Sequence, residues 1–78
     1  MPETISTTIE LTETAEGVDA MGWFELSGKT YKASAHAPEN HRDHRIAHDL
    51  AVARVMRALE LELMEWIHEH IDRYIKDE

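Results

Sequence analysis

Apolar and polar residues alternate through the first half of the chain and change to a helical rhythm in the second. Ile5, Thr7, Ile9 and Leu11 share one side of an extended segment, with Ser6, Thr8, Glu10 and Thr12 on the other. This period of two, rich in β-branched residues, predicts a half-buried strand over about 4–14. Ala15-Glu16-Gly17 supplies a turn. A second strand, 18–27, puts Val18, Ala20, Gly22, Phe24 and Leu26 on one side and Met21, Trp23 and Glu25 on the other. Ser27-Gly28 is a hairpin signal. The third strand, 29–37, groups Tyr31, Ala33, Ala35 and Ala37 opposite Lys32, Ser34 and His36, and Pro38 ends it by removing a backbone donor. Residues 38–44 form a polar connector in which Asn40 or Asp43 would cap the next element.

From about 45 to 76 there is no Gly and no Pro, and strong helix formers dominate. The segment reads as one helix of roughly 30 residues, ~45 Å long at ~1.5 Å per residue. Its polar wedge holds Arg54, Glu62, Glu65, Glu69, Asp72 and Lys76, with Ala47, Ala51 and Ala58 between them. One apolar sector carries Ile46, Leu50, Ala53, Leu61, Met64, Ile71 and Ile75. A second carries Val52, Val55, Met56, Leu59, Leu63, Trp66, Ile67 and Tyr74. Two sectors imply two partners. Strands of six to eight residues would span only about 20–26 Å, so the helix is expected to outrun its sheet. The expected consequence is a homodimer through Leu59, Leu63, Trp66, Ile67 and Tyr74; the alternative is a kink that folds the tail back. The fold class is α+β: a three-stranded antiparallel meander followed by one long C-terminal helix.

Composition narrows the classes of function. Seventy-eight residues make one small domain, for which oligomerisation is a common support. With no cysteine there is no disulfide, thiolate metal site or cysteine nucleophile. No apolar run reaches the length of a membrane span. Met1-Pro2-Glu3-Thr4 lacks the charged start and apolar run of a signal peptide, which gives a cytoplasmic expectation. A net charge of −8 opposes general affinity for phosphates. Residues 29–57 nevertheless hold six bases against three acids, a local +3.

Pro38, the polar connector and the run Ile46-Ala47-His48-Asp49-Leu50-Ala51-Val52-Ala53-Arg54 resemble a family of small actinobacterial proteins with a dsRBD-like fold, associated with dormancy and stress responses. Glu16-Gly17 also resembles the family's turn after its first strand. The resemblance covers roughly residues 5–66, and a phage-borne relative would look the same. His48 stands where the family carries an acid, and His41, Arg42 and His44 replace its second connector proline. The resemblance implies a non-enzymatic protein with a fold like that of ribosome hibernation factors.

The candidate chemistry is that of binding. Trp23, Lys32 and His36 share the sheet face away from the alanine row, and an aromatic among polar and basic groups can anchor a partner. With Arg42, Arg45, Arg54 and Arg57 they form the expected partner-binding set. The partner expected is a protein; RNA or the ribosome, using the basic centre, is the alternative. His41, His44 and His48 are weak candidates for a zinc or nickel site, more simply read as solvated connector histidines. No cofactor is expected. His68 and His70 border the apolar sectors and would sense pH if they reached a dimer seam. Ser27-Gly28-Lys29-Thr30 ends like a phosphate-binding loop, but Trp23 occupies the position of its first glycine and the segment is a hairpin.

Overall fold

A computed structural model describes residues 2–39 and 44–76, the side chains of His44 and of 72–76 excepted. The element order is β1 (Thr7–Thr14), β2 (Gly17–Leu26), β3 (Lys29–Pro38) and α1 (His44–Lys76). The strands form an antiparallel sheet in the order β1-β2-β3. Two-residue turns fix both registers. Thr14 pairs with Gly17 across Ala15-Glu16, and Leu26 with Lys29 across Ser27-Gly28. In the second turn Ser27 itself adopts φ 54°, as the right-handed twist of a tight hairpin favours. The first turn depends on Gly17, whose φ is 148° and whose missing Cβ would lie 2.1 Å from the Ala37 carbonyl oxygen. The Glu39 amide donates to the Glu16 carbonyl at 3.2 Å, tying the exit of β3 to this turn.

These registers align whole rows across the sheet. Ile9, Gly22 and Ala33 form one inward row, and Leu11, Ala20 and Ala35 the next. Against them α1 lays Ala47, Ala51, Val55 and Leu59, all buried, at steps of four residues. The core is therefore small against small. A Cβ on Gly22 would meet Leu59 Cδ1 at 3.0 Å and Val55 Cγ2 at 3.2 Å. Such close approach gains dispersion contacts along the whole seam.

This packing corrects two expectations. Ala47 and Ala51, placed in the polar wedge, sit at the centre of the core, because a floor of Ala and Gly accepts a helix closely only through small side chains. Leu59, expected in a dimer seam, is only 4 % exposed and belongs to the monomer core. Leu63 and Ile67 continue the same stripe and are half-buried. The side chain of Tyr74 lies outside the described residues.

The helix is one continuous element, so the tail is not folded back on a kink. At 33 residues it runs ~50 Å, against ~33 Å for the ten-residue strands β2 and β3. β2 and β3 exceed the span of six to eight residues, so the overhang is correspondingly shorter, while β1 has eight residues. Helix and sheet stay in touch as far as Trp66, over whose ring the Lys29 ammonium lies 5.6 Å from the centroid. A helix about 10 Å wide covers two strands spaced ~4.8 Å apart. It covers β3 and β2 most closely and β1 least, leaving Ile5 and Leu11 exposed.

Candidate interaction surface on the open face of the sheet

No described element covers the opposite face of the sheet. Alternation directs Thr8, Glu10 and Thr12 of β1, Asp19, Met21, Trp23 and Glu25 of β2, and Lys32, Ser34 and His36 of β3 to that side. Trp23 lies between its register partners Thr8 and Lys32, and Met21 between Glu10 and Ser34. Met21 is 52 % exposed, whereas Trp23 is half-buried even on this open face. A shallow depression of about 590 Å³ flanks Met21, with Glu10, Thr12, Asp19, Ser34 and His36 on its walls.

Polar contacts hold the rim. His36 Nδ1 and Asp19 Oδ1 are 2.6 Å apart across the β2–β3 ladder. Arg54 reaches from α1 and donates from Nη1 to the His36 carbonyl at 2.8 Å. That bond occupies an acceptor on β3, an edge strand. At the other side of the fold, His48 Nε2 meets Glu13 Oε1 at 2.6 Å, joining α1 to β1. Trp66 and His70 stack with ring centroids 4.2 Å apart. His70 Nδ1 also lies 2.8 Å from the Trp66 carbonyl oxygen, a contact local to the helix.

The expected partner-binding set is thus divided. Trp23, Lys32 and His36 share the open face, as expected. Arg54 stands at the β3 edge, while Arg45 and Arg57 are exposed along the helix. Arg42 and His41 lie outside the described residues, as do Asn40 and Asp43. His48 is engaged by Glu13, and the described residues contain no group of three His, Asp or Glu side chains able to hold a metal ion. No described helix is long and apolar enough to cross a membrane.

Two contributors were not singled out from sequence. Asp19 was legible in principle, since a two-residue turn at Ser27-Gly28 places it opposite His36. Met21 was assigned to this face but not as the exposed apolar centre it proves to be. Chemically the surface offers a thioether and an indole among three acids (Glu10, Asp19, Glu25) and one lysine. Such a surface favours apolar and cationic groups over phosphate.

No protein family, curated protein or solved structure matches the chain.

Proposed function

We propose that the chain is a non-enzymatic binding module that docks a protein partner on the open face of its sheet, centred on Met21 and Trp23. One observation carries this reading: an exposed Met21 beside a half-buried Trp23 sits at the middle of an uncovered sheet face whose charged rim is mainly acidic. Aromatic and Met side chains are enriched in interface cores. The acids complement Lys and Arg on a partner and disfavour a nucleic-acid backbone. A setting in stress or dormancy rests on the family resemblance alone.

The test is affinity capture with the full chain, comparing wild type with Met21→Glu/Trp23→Ser at low and high salt, with and without nuclease. A protein retained by wild type, lost by the variant and indifferent to nuclease is the expected result. Salt-sensitive recovery of ribosomal RNA would establish the RNA reading instead. Equal recovery by wild type and variant would overturn the sheet-face assignment.

A further inference from the structure

We propose that the outward face of α1 is a self-association seam through which two copies pair with their helices antiparallel. Ile46, Leu50, Leu61, Met64 and Ile71 follow one another at steps of 4, 11, 3 and 7 residues, close to whole helical turns, with Ala53 among them. The five large side chains are 37–57 % exposed. They point away from the side of α1 that gives Ala47, Ala51, Val55 and Leu59 to the sheet. The row is ~37 Å long at ~1.5 Å per residue. An exposed apolar row of this kind, crossed near its middle by Arg57 and Glu60, marks an interaction site.

Charge along α1 selects the occupant and its direction. Near the middle of the outward row the helix carries Arg57 and Glu60 beside Ala53 and Met56, whereas Glu62, Glu65 and Glu69 lie toward Lys29 and Lys32 of β3. A second copy laid parallel would set base on base and acid on acid. Laid antiparallel about the middle of the row, it sets each Arg57 against the Glu60 of the other copy, twice by symmetry, which eases pairing of two chains that each carry −8.

The row also fixes a register. With Ile46 opposite Ile71 of the second copy, Ala53 faces Met64, small against large, and Arg57 faces Glu60. Twofold symmetry repeats every such contact. The product is a four-layer stack, sheet–helix–helix–sheet, with the two open sheet faces pointing apart. The seam shares no residue with the Met21–Trp23 surface, so each can fail without the other.

The absence of cysteine gives a direct test. Single variants Ala53→Cys and Met64→Cys change exposed positions, and circular dichroism verifies that each stays folded. Mixed under mild oxidation, the two are expected to cross-link at least ~10-fold faster than either alone, because antiparallel pairing separates like positions by ~16 Å along the axis. Light scattering of the wild type is expected to give twice the 9.0 kDa chain mass. Leu61→Glu/Met64→Glu is expected to return it to the monomer with its helical signal intact. A wild-type monomer at about 1 mM, self-cross-linking of Ala53→Cys as fast as the mixture, or a dimer that survives the double substitution would each overturn the proposal. Should the double variant unfold, the cross-linking rates decide alone.

Discussion

The two sides of α1 contrast in a way that hydropathy alone would invert. The side packed on the sheet carries Ala47, Ala51, Val55 and Leu59, while the side turned away carries Ile46, Leu50, Leu61, Met64 and Ile71. Around Ala47 and Ala51 the larger aliphatic side chains lie outside, and only toward Leu59, Leu63 and Ile67 does the inner side carry bulk. The sheet explains why: its floor of Ala20, Gly22, Ala33, Ala35 and Ala37 is nearly flat, and a helix descends onto it only where its own side chains are short. Bulk on the outer side has no such floor in this chain. Burial here follows steric fit between two surfaces, and the outward hydrophobicity is unused within the chain.

Leu59 and Leu61 test the contrast most sharply, being the same residue type two positions apart, 4 % and 57 % exposed. Leu59→Ala should cost about 2–5 kcal/mol by emptying a site over Gly22. Leu61→Ala should change monomer stability by less than about 0.5 kcal/mol, like most surface substitutions. Urea melts at matched, dilute concentration would measure both. Equal losses would mean that the two sides are not distinct.

A smaller effect comes from adding volume. Ala51 is fully buried and Ala53 exposed. Ala51→Leu should destabilise by about 1–3 kcal/mol through overpacking, lowering Tm by roughly 4–8 °C per kcal/mol for a chain of this size. Ala53→Leu should leave the monomer's Tm within about 2 °C. A tolerated Ala51→Leu would show that the small-on-small seam is loose.

The least effect is expected at the polar ties that flank the core. A double-mutant cycle on Glu13 and His48, using Glu13→Gln and His48→Ala, should give a coupling of about 0.2–1 kcal/mol, since both side chains are partly in water. A coupling well above that range would show that this contact, rather than the alanine seam, sets how the helix lies across β1.

The candidate surface was partly readable in advance. Trp23, Lys32 and His36 were placed on one face by period-two alternation alone, and the turn at Ser27-Gly28 fixes Asp19 opposite His36. Glu13 and His48 are 35 positions apart and meet only because of the angle at which α1 crosses the sheet. No spacing in the sequence encodes that angle. The same holds for Arg54, whose bond to the His36 carbonyl depends on the helix lying toward β3.

What the sequence by itself determined is the order of elements, the register across the Ser27-Gly28 turn and the extent of the helical segment. These follow from local causes: alternation, a two-residue turn, and a long segment without Gly or Pro. Only the tertiary structure decided which side of the helix is core. A helix apolar around most of its circumference can be set on a sheet in several rotations. The choice among them lies in the fit of Ala47 and Ala51 to the alanines and glycine beneath, a property of two surfaces together that neither segment carries alone.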